Sequence, residues 1–75
     1  MKIVLRMVGY LKAYAGKDEL EIDIPERTNI LELLENYKIK PGEVMCASVN
    51  GNWVDKETLL HDGDELLLMP LAGGG

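Results

Sequence analysis

The chain is 75 residues long, 47% hydrophobic and 28% charged, so it holds one domain that buries about 60% of its unfolded surface and leaves no room for an enclosed pocket. A net charge of -5 repels nucleic-acid phosphates and anionic lipid, and no segment approaches the roughly 20 apolar residues of a membrane span, so the cytoplasm is the expected compartment. One cysteine, Cys46, and one histidine, His61, can form neither an internal disulfide nor a four-ligand zinc or iron–sulfur site; no metal or cofactor is expected, and folding must come from the apolar core.

Ile3, Leu5 and Met7 alternate with Lys2, Val4 and Arg6, the period of two of a strand with one face on a core, which predicts a first strand near residues 2–8. Tyr10 to Lys17 has no clean period, and Gly9 and Gly16 bracket it as a loop or hairpin connection. Glu19-Leu20-Glu21-Ile22-Asp23-Ile24 alternates acid and aliphatic throughout and stops at Pro25; it is the clearest strand in the chain.

Thr28 or Asn29 can cap a helix, with Glu32 placed to reach back to Asn29. Ile30, Leu33, Leu34 and Tyr37 then fall at i, i+3, i+4 and i+7, one apolar stripe on a helix of about two to three turns, and Pro41-Gly42 closes the connection after it. Val44 to Val49 and Trp53-Val54 read as two strands joined at Asn50-Gly51, a pair suited to the positive φ values of a tight hairpin. Leu59 to Asp64 is an apolar turn closed by Asp-Gly, Glu65 to Met69 is the last strand, and Pro70 is expected to end regular pairing.

The resulting order is strand, strand, helix, strand, short strand, strand. One helix crossing a small mixed sheet of four to five strands buries both apolar faces most simply, an α+β arrangement of the β-grasp type. The domain is expected over residues 1–70, followed by a flexible glycine tail over 71–75.

Catalytic constellations are missing. No Gly-rich phosphate loop joins a strand to a helix, and no nucleophile has a base assigned to it by spacing, so the chain is not expected to be an enzyme. His61 beside Asp62 reads as a solvated pair, Cys46 as an inert packing thiol, Asp62-Gly63-Asp64 as a turn rather than part of a calcium loop, and Trp53 as a core or hairpin residue. The distinctive feature is the end, Met69-Pro70-Leu71-Ala72-Gly73-Gly74-Gly75. Three residues without side chains can thread a narrow channel and present a carboxylate beyond a rigid domain, for an enzyme that reacts with that carboxylate.

Three segments carry a family resemblance that covers essentially the whole chain. They are Thr28-Asn29-Ile30-Leu31-Glu32-Leu33-Leu34, Val49-Asn50-Gly51, and Asp62-Gly63-Asp64-Glu65 running into Leu68-Met69-Pro70-Leu71-Ala72-Gly73-Gly74-Gly75. The chain resembles the MoaD/ThiS family of ubiquitin-like sulfur carriers. The resemblance implies an ATP-dependent, ubiquitin-activating-type adenylating enzyme as partner, which converts the terminal carboxylate to an acyl-adenylate, and then exchange for sulfur to give a thiocarboxylate. It implies Gly75 as the carrier residue and Gly74 and Gly73 as the clearance for the threaded tail. It also implies a sulfur-accepting synthase subunit as a second partner.

A docking surface is needed too, and Leu66 to Met69 is apolar in both phases of a strand, so one phase lies outside the core. Leu67, Met69, Pro70 and Leu71 are the docking candidates, with Val4 and Val8 joining an exposed patch unless the 10–17 connection covers it. Met69-Pro70 stands where molybdopterin-serving members often carry a Pro-Pro pair, whereas the thiazole-forming branch commonly lacks such prolines. The favoured role is therefore molybdopterin synthesis, with thiazole sulfur transfer or protein modification as alternatives. The third glycine leaves open a trimmed end, with Gly74 as carrier.

Overall fold

The computed structural model describes residues 1–71. Five strands form one mixed sheet: β1 Lys2–Met7, β2 Glu19–Asp23, β3 Val44–Val49, β4 Asn52–Val54 and β5 Glu65–Pro70, in the order β2-β1-β5-β3-β4. β1 runs parallel to β5, and every other neighbouring pair is antiparallel. Among the described residues a single α-helix, α1 Ile30–Asn36, supplies the crossover between the two halves of the sheet. This is the expected β-grasp architecture.

The register shows why the apolar period of two works. Leu5 lies between Leu20 and Leu66, and Leu68 lies between Met7 and Ala47, so these residues share one face. Ile3, Leu5, Met7, Leu66 and Leu68 join Ile30, Leu33 and Leu34 of α1 in one continuous buried cluster. Full burial of each large aliphatic side chain contributes about 1.5–3 kcal/mol, so this layer dominates the favourable side of folding.

The ends of α1 follow from side-chain chemistry. Asn29, not Thr28, is the cap: its Oδ1 accepts from the Glu32 N–H at 2.8 Å, and Glu32 Oε1 accepts from the Asn29 N–H at 3.0 Å. Thr28 instead donates to the Pro25 carbonyl. At the other end Lys38 takes φ 59°, the Ile39 N–H donates to the Leu34 carbonyl and the Lys38 N–H to that of Glu35. This is a Schellman closure with lysine where glycine is usual, and the buried Ile39 supplies its apolar contact. The helix is about two turns, and Tyr37, its C-cap, is half-buried against the core and so continues the apolar stripe.

Two turns are tied together at one end of the sheet. Asn50 has φ 53°, its Nδ2 donates to Asp64 Oδ1 at 2.9 Å, and its Oδ1 accepts from the Glu65 N–H at 2.9 Å. The nearly buried Asp64 also accepts from the His61 N–H at 2.7 Å. Asp62 takes the Lys2 N–H at 2.7 Å, while the Gly63 N–H donates to the Lys2 carbonyl. The Asn-Gly and Asp-Gly-Asp segments are thus joints of the framework.

Two expectations are corrected. The stretch after β1 is not irregular throughout, because Gly9–Tyr14 forms a 3₁₀ helix that buries Leu11. A single inward residue leaves no readable period. Pro70 does not stand outside the strand: it is the last residue of β5, paired opposite Val44, and the Leu71 N–H adds one further bond, to the Glu43 carbonyl at 2.9 Å. β1 pairs only as far as Leu68, so on that flank Pro70 has no ladder bond to lose. Among the described residues no helix is long and apolar enough to cross a membrane.

Candidate functional site

The face of the sheet away from α1 is open. One row across it runs Glu19, Arg6, Leu67, Ser48, Trp53, and adjoining rows hold Glu21, Val4 and Glu65, then Met69 beside Cys46. Leu67, Met69 and Val4 are half-buried, while Val8 is exposed at the end of β1. Trp53 is 63% exposed, so it is a hairpin residue and not a core one. Met45 protrudes where the β3–β5 register shifts, an extra residue that bulges out of the ladder. The 3₁₀ helix that follows β1 therefore leaves much of the apolar patch uncovered.

The other half of this face is charged. Arg6 Nε donates to Glu19 Oε1 at 2.6 Å, and its Nη1 lies 3.4 Å from Glu65 Oε1. The Glu19 hydrogen bond, then the charges of Glu19 and Glu65, raise the guanidinium pKa above its ordinary value. The cation is thus pinned between carboxylates, giving an acidic border beside an apolar centre.

The C-terminal segment follows β5, the middle strand of five. Its root is held on two sides. Pro70 sits on Gly9, where a Cβ would come within 2.9 Å of the proline Cγ, and the φ of Gly9 is +61°. The Leu71 N–H reaches the Glu43 carbonyl, which also accepts from the Tyr10 hydroxyl at 3.2 Å. The Tyr14 hydroxyl donates to Glu43 Oε2 at 2.6 Å, and this bond raises the phenol pKa above its usual value near 10. Leu71 itself is 49% exposed.

Of the residues singled out by sequence, Leu67 and Met69 lie on the open face, and Pro70 and Leu71 lie at its margin where the tail begins. Gly73, Gly74 and Gly75 fall outside the described residues. Sequence reading missed Tyr10, Tyr14 and Glu43. The spacing of the two tyrosines at i and i+4 was the only available signal, since Glu43 is far away in the chain. Among the described residues no group of three or more His, Cys, Asp or Glu side chains converges to hold a metal ion.

Comparison with known proteins places this geometry. The family model described as the ThiS family matches residues 5–75. Subunit 1 or 2 in the protein–protein complex of molybdopterin-converting factor from Helicobacter pylori aligns at 26% identity and TM-score 0.64, covering 100% of both chains. A thiamine biosynthesis protein from Geobacter metallireducens aligns at 28% identity and TM-score 0.54, over 95% of this chain and 86% of that one. Small archaeal modifier protein 1 from Methanosarcina acetivorans shares the fold, with TM-score 0.69 at 23% identity over 99% and 96%. Among curated proteins none matches the sequence.

Proposed function

The chain belongs to the ThiS family, and from that premise we propose that it is a sulfur-carrier protein whose terminal carboxylate, on Gly75, is adenylated and converted to a thiocarboxylate. The observation that carries this reading is the reach of the family match, which runs through Gly73, Gly74 and Gly75 to the end of the chain. Support comes also from β5, a strand paired on both sides that delivers the root of the tail at the border of an open apolar face.

The chemistry needs no catalytic group from this chain. A free carboxylate is a poor acyl donor. Attack of its oxygen on the α-phosphorus of ATP releases pyrophosphate and leaves an acyl-adenylate, from which a sulfide equivalent expels AMP and forms the carbon–sulfur bond. The adenylating enzyme would supply the phosphate-binding and proton-transfer groups, so this protein is a cosubstrate. Gly73 and Gly74 would let the backbone enter a channel too narrow for side chains. Leu67, Met69, Pro70 and Leu71 would dock on that partner, together with the exposed Trp53, since an apolar centre with a charged border is the usual composition of a recognition surface.

For the sulfur acceptor we favour molybdopterin synthesis, with this chain as the small subunit beside a sulfur-accepting synthase subunit. The complex of subunits 1 and 2 of the Helicobacter pylori converting factor supports that choice. Thiazole sulfur transfer is the second reading, favoured by the Geobacter metallireducens likeness. ATP–pyrophosphate exchange with the organism's adenylating enzyme tests the shared first step. The full chain should support exchange and a chain lacking Gly74 and Gly75 should not; equal exchange by both would refute the role of the terminus. Isopeptide-linked conjugates on other proteins, in place of a thiocarboxylate, would indicate a modifier.

A further inference from the structure

The root of the tail is more elaborately held than a strand end requires. The last few residues of most domains are poorly ordered unless they are tied down. Here the Leu71 amide is bonded to the Glu43 carbonyl, and that same residue is gripped twice by the 3₁₀ helix Gly9–Tyr14. The Tyr10 hydroxyl bonds the carbonyl and the Tyr14 hydroxyl bonds the carboxylate. The helix is anchored by the fully buried Leu11, so both hydroxyls project from a fixed base. Gly9, at the start of the same helix, carries the Pro70 ring.

The two tyrosines are 44% and 38% exposed, so the core does not need them. Their hydroxyls nevertheless converge on one residue, more than 25 positions away in sequence, that holds the first amide beyond β5. We propose that Tyr10, Tyr14 and Glu43 are positioning residues, a clasp that fixes the Leu71 peptide at the root of the C-terminal segment. Its functional half rests on the carrier reading above. A partner that must reach the terminal carboxylate measures the tail from its root. A root ordered before the encounter spares the complex the entropy of ordering it. The clasp acts on binding and not on the reacting carboxylate, so its loss raises KM and leaves kcat alone.

The test compares the wild type with Tyr10→Phe/Tyr14→Phe, Glu43→Ala and Glu43→Gln. The first readout is amide hydrogen exchange at Leu71, with Leu66 and Leu68 as internal controls. Loss of the tyrosine bonds should speed Leu71 exchange by about 3- to 10-fold, the factor of a single net hydrogen bond, and leave the controls unchanged. The second is ATP–pyrophosphate exchange with the organism's adenylating enzyme, where KM for the double variant should rise by a similar factor at constant kcat. Glu43→Gln keeps a neutral and weaker acceptor for Tyr14 and should fall between the wild type and Glu43→Ala in both, with Glu43→Ala the more impaired. Unchanged Leu71 exchange in the double variant, or a changed kcat at constant KM, would overturn the proposal. So would a Glu43→Gln chain as impaired as Glu43→Ala. A wild-type chain that supports no exchange with an active enzyme refutes the carrier reading, and the Leu71 amide then decides the clasp by itself.

Discussion

Asn50 joins the β3–β4 turn to the start of β5, and Asn50→Ala should destabilise the fold by about 2–4 kcal/mol. The magnitude follows from three losses. The Nδ2 bond to the Asp64 carboxylate, 2.9 Å long and to a nearly buried acceptor, contributes about 1.5–3 kcal/mol as a charge-assisted bond. The Oδ1 bond from the Glu65 N–H is more exposed and adds about 0.5–1 kcal/mol. Alanine at φ 53° is worse than asparagine by up to about 1 kcal/mol. Partial rehydration of Asp64 reduces the sum. A domain of this size has on the order of 5–10 kcal/mol in all, so the variant would be visibly marginal. Urea unfolding followed by far-UV circular dichroism is the suitable assay, because Trp53 is 63% exposed and reports folding poorly. Asn50→Gly separates the causes: it loses both bonds but accepts the backbone angle, and should recover about 1 kcal/mol relative to alanine. An Asn50→Ala chain within about 0.5 kcal/mol of wild type at unchanged m would refute the joint. A glycine variant no better than alanine would refute the backbone part.

Lys38→Gly should stabilise the protein by about 0.5–1 kcal/mol in the same assay, because it relieves the left-handed residue of the α1 closure without touching a buried contact. The Tyr14 phenol, hydrogen-bonded to Glu43, should titrate above the ordinary value near 10 by absorbance or NMR, and Glu43→Gln should lower it. A folded-state pKa raised in this way means that the bond's contribution is complete below the unfolded value and disappears as pH rises through the folded one, so the Leu71 amide should loosen only in alkali. Trp53→Ser should leave folding stability within about 0.5 kcal/mol, since the side chain is mostly exposed. It should nevertheless weaken binding to the adenylating partner about tenfold in a calorimetric titration, as loss of an aromatic anchor does.

The strands were legible wherever one face meets the core, because Ile3, Leu5 and Met7 or Leu20 and Ile22 repeat with the period that burial imposes. The helix was legible for the same reason, and its cap was visible as Asn29 with Glu32 three residues on. The Gly9–Tyr14 helix was not, since a 3₁₀ turn with only Leu11 turned inward writes no pattern into the sequence. Pro70 does mark the end of β5 but belongs to it, and only the sheet order reveals that β5 outruns β1 there, so that the proline can still pair with Val44. Asn50 and Asp64 were noticed as motif residues, but their bond joins positions 14 apart and could be seen only in the fold. The clasp is more distant still: Tyr10 and Glu43 are 33 residues apart, and no local spacing links them.

The central claim is that the last carboxylate is the working group, and intact mass spectrometry tests it most directly. The protein is incubated with ATP, the organism's adenylating enzyme and a sulfur donor, beside a chain lacking Gly74 and Gly75. The account predicts that the full chain gains the mass difference of one sulfur for one oxygen and that the shortened chain does not. An unchanged full chain, with the enzyme shown to be active, would contradict it, as would the same gain in the shortened chain.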